Sequence, residues 1–266
     1  MRTLYARALA RQLPLLGGGG DSLPDRELTL DKVEIDREHL ADYDAVCGFR
    51  YRDELPPTYL HVVAFPLALE LMTARDFPLK PIGLVHVANR IEQRRRIEAG
   101  ETLSLRVRAD DLREHPRGTQ FDVVAEAGDA WLERSTYLRR ERPGMGGGED
   151  EEPREASAVW RVTLRTARRY AAVSGDRNPI HLHRLAARAF GHPRPIAHGM
   201  WLKARCVAAL EARLPPACAI EVRFGSPLRL PASAGFASWP DEGGRAFAVH
   251  AGRERRKHIS GVVTAL

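Results

Sequence analysis

Asp176 and His181 stand five positions apart in the run Tyr170-Ala-Ala-Val-Ser-Gly-Asp-Arg-Asn-Pro-Ile-His181. A carboxylate and an imidazole that converge can hold and polarise one water, with His supplying a base near neutrality and Asp compensating its charge. The intervening residues decide whether they converge. Gly175 can adopt a backbone conformation closed to other residues and so stops the preceding helix. Pro179 forces Asn178 towards an extended conformation and fixes the next turn. The pair therefore belongs on a rigid kinked loop and not on a helix face. Farther on, Ile196-Ala-His-Gly-Met200 leads into a long helix. A backbone N–H at Gly199, with no side chain in the way and the helix dipole behind it, suits an oxygen that gains negative charge in an enolate-like transition state.

The elements that must position these groups occur twice. Tyr43-Asp-Ala-Val-Cys-Gly-Phe49 lies over Tyr170-Ala-Ala-Val-Ser-Gly-Asp176 without a gap. Each copy follows a short strand (Leu28–Ile35; Trp160–Leu164) and a helix opening at Asp36 or Thr166, residues suited to N-capping. Each precedes a longer amphipathic helix, marked by Phe65, Leu69 and Met72 in the first half and by Met200, Lys203, Val207, Leu210 and Leu214 in the second. Alternating segments predict four further strands per half: Gly83–Arg90, Leu103–Ala109, Gln120–Ala125 and Trp131–Leu138, then Ala219–Phe224, Gly235–Trp239, Ala246–Ala251 and Ile259–Ala265. Connections too short for helical crossovers make the sheets mostly antiparallel, hence an α+β chain. Continuing the repeat puts Phe49 under Asp176, Tyr51 under Asn178 and Glu54 under His181, so the first half lacks the catalytic pair.

The run from Tyr170 to Ala187, with the His-Gly-Met element after it, resembles the signature of the MaoC-like (hydratase 2) dehydratase family. The whole chain resembles double-hotdog actinobacterial 3-hydroxyacyl-thioester dehydratases, more weakly in the first half (Pro57-Thr-Tyr59, Phe77-Pro78, Gly83 to His86, Leu112 to Gly118). That resemblance implies a double hotdog, two curved antiparallel sheets each wrapping a long central helix. It implies four segments: an N-terminal arm (1–24), a degenerate hotdog half (25–142), a flexible linker (143–157) and a catalytic half (158–266). It implies reversible dehydration of (3R)-hydroxyacyl thioesters to trans-2-enoyl thioesters, with Asp176 and His181 catalytic. Gly199 is the oxyanion amide, and Ser174 and Asn178 are the motif residues of the substrate loop. The substrate is an acyl-CoA or acyl carrier protein thioester, no metal or other cofactor is implied, and the degenerate half helps line the acyl tunnel. Alternatives are a hotdog acyl-thioesterase, a dehydratase for a branched or dicarboxylic acyl-CoA, and a silent binding partner for acyl carriers. A homodimer of such chains is compatible with all of them.

Other histidines invite plainer readings. His198 braces the helix start, His86 sits in a strand pattern as a structural or tunnel-lining residue, and His183 and His192 are exposed. His181, His183 and His192 have no Glu or Cys at metal-ligand spacing. Of 266 residues, 41 are basic and 35 acidic, a net charge of +6 that could attract an acidic partner but is most simply an arginine-rich surface. Nothing points to nucleic acid. Cys47, Cys206 and Cys218 are too scattered for a disulfide framework or metal knuckle and suit a reducing cytoplasm. The opening segment, with a mixed face of Leu4, Ala8, Arg11 and Leu15, reads as a packing arm. Arg7 and Arg11 interrupt any signal-peptide core, and no stretch approaches a membrane span.

Overall fold

The computed structural model describes residues 22–79, 83–141, 154–252 and 256–266. The N-terminal arm up to residue 21 and residues 143–153 of the linker lie outside the described residues; 154–157 are exposed.

Ten strands form one antiparallel sheet: β1 (Glu27–Val33), β2 (Leu84–Gln93), β3 (Leu103–His115), β4 (Gly118–Ala127), β5 (Trp131–Arg140), β6 (Ala158–Val162), β7 (Cys218–Phe224), β8 (Ala232–Asp241), β9 (Gly244–Ala251) and β10 (Arg256–Ala265). Their spatial order is β1-β3-β4-β5-β2-β7-β10-β9-β8-β6. Matching the first five strands to the last five makes this order a palindrome, so the internal repeat of the sequence is also a repeat of topology. The halves meet where β2 pairs with β7, from Ala88↔Arg223 to Gln93↔Cys218.

Every strand expected from alternation is present, with shifted ends. The largest difference is β3, which continues past Ala109 to His115. Its register slips between Asp110 and Arg113, and Asp111 adopts a positive φ of 52°. Such a bulge interrupts period-two alternation while the strand goes on pairing.

Helix α1 (Arg37–Cys47) opens at Asp36, whose carboxylate accepts from the N–H groups of Glu38 and His39 at 3.0 and 3.2 Å. It ends at Gly48, in the left-handed region at φ 83°. Its counterpart α3 (Leu164–Ser174) ends the same way at Gly175, φ 73°. The expected cap at Thr166 is corrected to Thr163: extended Thr163 ends β6, and Thr166, three positions on, completes a reciprocal capping box with it.

The two helices expected to be long are α2 (Tyr59–Met72), with 14 residues, and α6 (Gly199–Ala209), which at 11 residues is no longer than α3, and both differ from their expected amphipathic character. Both are buried on nearly all sides, and Phe65 and Leu69 of the expected stripe are among the less buried residues of α2. α2 packs on β1, β3 and β4 and also on α3, while α6 packs on β10 and on α1. Sheet covers one side of each and a helix of the other half covers another, so no solvent face survives to give a stripe. Leu210 caps α6 and a 3₁₀ turn follows at Glu211–Arg213, which leaves Leu214 beyond the helix.

Lys203 of α6 is fully buried at the seam between the halves. Its ammonium donates to the side-chain oxygen of Asn89 in β2 and, at 2.9 Å, to the carbonyl of Ile220 in β7. Asn89 donates on to Glu133 at 2.6 Å, and the same carboxylate lies 2.8 Å from His61 Nδ1. Burial pushes the Lys203 ammonium down to about 7 against the pull of Glu133. Glu133 stays below the usual carboxylate range because His61, Lys203 and Asn89 outweigh its burial. Among the described residues no helix is long and apolar enough to cross a membrane.

Candidate active site

Gly175 ends α3 by donating its N–H to the Ala171 carbonyl at 3.2 Å, and the chain then turns through three successive side-chain bonds. Ser174 Oγ accepts from the Asp176 N–H (3.2 Å), Asp176 Oδ1 from the Asn178 N–H (3.2 Å), and Asn178 Oδ1 from the Ile180 N–H (3.3 Å). Asn178 thereby caps the short helix α4 (Pro179–Leu182), with Pro179 at its first position, where a missing N–H costs nothing; a second short helix, α5 (Arg184–Ala189), follows. Ser174 and Asn178 thus fasten the kinked loop from within.

The loop brings Asp176 and His181 together. His181 Nε2 lies 3.9 Å from Asp176 Oδ2, with the two side chains 10% and 29% exposed. The other ring nitrogen, Nδ1, is 2.9 Å from the Ile196 carbonyl. A carbonyl only accepts, so Nδ1 carries a proton and, in the neutral ring, Nε2 presents its lone pair towards Asp176. Two acceptors 3.9 Å apart do not bond to each other, but both can receive protons from one water between them.

His198 is more than a brace for the helix start. Its Nε2–H donates to the Asp176 carbonyl at 3.0 Å, and its ring stacks on that of His181 with centroids 3.8 Å apart. The ring of Tyr170 also lies against that of His198, with centroids 5.1 Å apart. Burial, and then the neighbouring His181, push His198 down to about 3, so the ring is neutral at physiological pH. Burial also works against ionisation of Asp176, but the imidazoles of His198 and His181 and the Asn178 N–H hold that carboxyl below its usual range.

Gly199 begins α6, following the N-cap His198, and its first-turn N–H has no partner inside the helix. A Cβ at this position would lie 3.1 Å from the ring of Phe224, so a larger residue here must displace that ring. Phe224 in turn contacts His86 of β2 at 4.8 Å, and His86 stacks on Tyr137 of β5 at 4.7 Å. His86 and Tyr137 of the first half thus back the Phe224 ring that lies beside Gly199. Burial, then His61, push His86 down to about 3, and its Nε2 is buried with no hydrogen-bond partner among the described residues.

His183 is exposed as expected. His192 is not: it is half-buried, and burial together with Arg229, His181 and Arg140 holds it below the usual histidine range. Phe49, the repeat counterpart of Asp176, packs into the core against Tyr43 with ring centroids 6.2 Å apart. Glu54, the counterpart of His181, is paired with Arg96 at 2.6 Å. Among the described residues the side chains that could approach a cation together are Asp176, His181 and His198, whose donor atoms lie within 4.8 Å of one another, a different set from His181, His183 and His192. His39, which the sequence did not mark, reaches the loop from the first half through the carbonyl of Val173. A partner 134 positions away leaves no local pattern to find it by.

A model of the MaoC-like domain matches residues 148–262. The 3-hydroxyacyl-thioester dehydratase X of Mycobacterium tuberculosis is 38% identical over 270 residues, spanning 98% of this chain and 96% of that protein. The crystal structure of HtdX from M. tuberculosis superposes with a TM-score of 0.82 at 38% identity, covering 91% of this chain and 100% of that one. A MaoC-like dehydratase from Phytophthora capsici, 19% identical with a TM-score of 0.71 over 91% and 96% of the two chains, shares the fold. The chain belongs to the MaoC-like dehydratase family.

Proposed function

We propose that this protein reversibly dehydrates (3R)-hydroxyacyl thioesters of CoA or acyl carrier protein to trans-2-enoyl thioesters in fatty-acid metabolism. This is the reaction for which its mycobacterial relative is named, with stereochemistry and carrier added. The palindromic strand order and the two buried helices support a double hotdog, divided into a degenerate half at 25–142 and a catalytic half at 158–266.

The observation that carries the reading is the Ile196 carbonyl on His181 Nδ1, which leaves Nε2 as the basic atom facing Asp176 across 3.9 Å. In the hydration direction a water held by both groups gives a proton to Nε2 as its oxygen adds to the β-carbon. The electron pair of the double bond moves towards the thioester carbonyl, whose oxygen takes a hydrogen bond from the Gly199 N–H at the positive end of α6. The proton then returns to the α-carbon from the same face, a syn addition. The Asp176 carboxylate holds the second water proton and balances the imidazolium formed during the step.

The test is a panel of crotonyl-, octenoyl- and dodecenoyl-CoA followed by loss of enoyl absorbance, with free thiol measured in the same tubes. Hydration without thiol release, giving (3R) product, is expected. Asp176→Asn and His181→Gln should each lower turnover by about 10²–10⁴-fold while leaving the fold intact. Thiol release, a (3S) product, or near-normal turnover in either variant refutes the corresponding part.

A further inference from the structure

At the end of α3 remote from Asp176, a cavity of about 440 Å³ opens between β6, the first turns of α3, the end of α1 and the body of α6. Along α3 the lining arginines lie from roughly 14 Å (Arg165) to roughly 8 Å (Arg169) before its end at Ser174, beyond which the Asp176 loop begins. Arg161, Arg165, Arg169 and Arg205 line it, and no carboxylate does. Among the described residues none of these four is in a salt bridge, whereas Arg26, Arg37, Arg95, Arg96 and Arg134 each face an acidic partner.

The local sequence makes this arrangement costly. The first turn of α3 contains no acidic residue, and Arg165 stands in it, at the positive end of the helix dipole. Helix α1, its repeat counterpart, follows the usual pattern with Glu38 in its first turn. Like charges gathered at a helix end of the same sign repel unless an anion sits among them, and violations of local rules of this kind concentrate at functional sites. Arg205 is half-buried with its guanidinium 4.7 Å over the ring of Trp160, and Phe236 stacks on the same indole with centroids 5.1 Å apart. Trp160 is itself buried, so recognition rests on charge. Planar guanidinium forks, the Thr163 and Thr166 hydroxyls and a helix start match the tetrahedral oxygens of a phosphate.

We propose that this cavity binds a phosphate-bearing ligand at a site separate from Asp176 and His181. The phosphate has two possible sources, a free phosphate compound or the diphosphate of a CoA thioester whose acyl end lies at the catalytic loop.

The probe is inorganic pyrophosphate, titrated calorimetrically into the full chain and into an Arg165→Gln/Arg169→Gln variant. We expect saturable binding to the wild type and a dissociation constant raised about 10- to 100-fold in the variant, as expected for loss of charge-assisted hydrogen bonds. An Arg26→Gln/Arg108→Gln variant, which removes two arginines elsewhere, should bind like the wild type. In phosphate-free buffer the cavity variant should melt no lower than the wild type, since it relieves repulsion at the start of α3; pyrophosphate should raise the melting points of the wild type and of the Arg26→Gln/Arg108→Gln variant and leave that of the cavity variant nearly unchanged. Equal affinity in all three proteins, or no saturable binding, overturns the site. Hydration of an enoyl-CoA and of the matching enoyl-pantetheine then identifies the source. A KM raised only for the CoA thioester assigns the site to the substrate's diphosphate; unchanged KM for both assigns it to a free phosphate compound. Since pyrophosphate binding is read without turnover, its failure leaves the dehydratase reading standing, and the reverse holds as well.

Discussion

His39 of α1 donates its Nε2–H to the carbonyl of Val173, in the last turn of α3, across 2.8 Å. Its Nδ1 must then accept, and it does so from the Tyr59 hydroxyl at 2.8 Å. A relay running from the start of one buried central helix through an imidazole thus ends two residues before Gly175, where the loop carrying Asp176 and His181 begins. A side chain of the first half thereby holds the approach to that loop in the second.

Replacing His39 with Phe keeps a ring of similar width and removes both bonds. The Val173 carbonyl then loses its donor, at a cost of about 1–3 kcal/mol if water does not replace it. The loop should lose alignment, and because small misplacements of reacting groups cost up to about 10²-fold, turnover should fall by roughly 10-fold with little change in KM. Urea unfolding and steady-state kinetics read the two effects. Wild-type stability and turnover together would show that the relay positions nothing.

His198 touches His181 face to face and Asp176 through its carbonyl, so its two contributions can be separated. His198→Phe preserves the stacked ring and deletes the donor, whereas His198→Ala deletes both and opens a space for water. Turnover should fall about 10-fold in the first and further in the second, within the 10²–10⁴ range of a catalytic group itself. Identical losses in the two variants would mean that the stacking contributes nothing.

The strands, the repeat and the Asp176–His181 pair were legible because each rests on short-range patterns. Alternation marks a strand whatever it pairs with, and Gly175 and Pro179 dictate a kink from their own backbone limits. What could not be read depends on distant partners. The tautomer of His181 is set by the carbonyl of Ile196, a group that every residue carries. His39 and His198 act through contacts created only when the elements pack. The amphipathic reading of α2 and α6 erred for the same reason: hydrophobic periodicity reports one covered face, and these helices are covered on several. Capping at Thr163 was missed by three positions because Thr166 shares the same chemistry and belongs to the same capping box.

Glu54 tests whether a second centre exists. It lies at the repeat position of His181 but is paired with Arg96, with side chains 35% and 48% exposed. Exposed pairs contribute about 0–1 kcal/mol, so Glu54→Gln should change stability little. Turnover on short enoyl-CoAs should stay near the wild-type value. A loss as large as that of His181→Gln on every substrate would reveal a second catalytic site in the first half.

Asp44, two residues into the repeated Tyr43–Phe49 segment, supplies a prediction about pH. Both its carboxyl oxygens are buried with no hydrogen-bond partner among the described residues, and burial, with a further push from Glu211, raises its pKa to about 7. In the unfolded chain an aspartate titrates near about 3.9. The folded state therefore retains a proton that the unfolded state releases. Its contribution to stability is fully present below about pH 4, shrinks as pH rises, and is lost once pH passes about 7. Shifts of this size correspond to roughly 2–4 kcal/mol between those limits. His86 and His198 act in the opposite sense: their depressed pKa values stabilise above the usual histidine range, and that stability is lost as pH falls towards about 3. The wild-type profile therefore mixes both trends, and the difference between wild type and Asp44→Asn isolates the aspartate. Asn keeps the shape but cannot ionise, so the wild type should lose stability relative to the variant on going from about pH 5 to about pH 8. Absolute stabilities will also differ by the amide's own unmet hydrogen bonds, about 1–3 kcal/mol, so the quantity to compare is the slope. Urea midpoints at three pH values across that span give it directly. Parallel profiles for the two proteins would mean that Asp44 is already ionised in the fold, with partners that satisfy its charge.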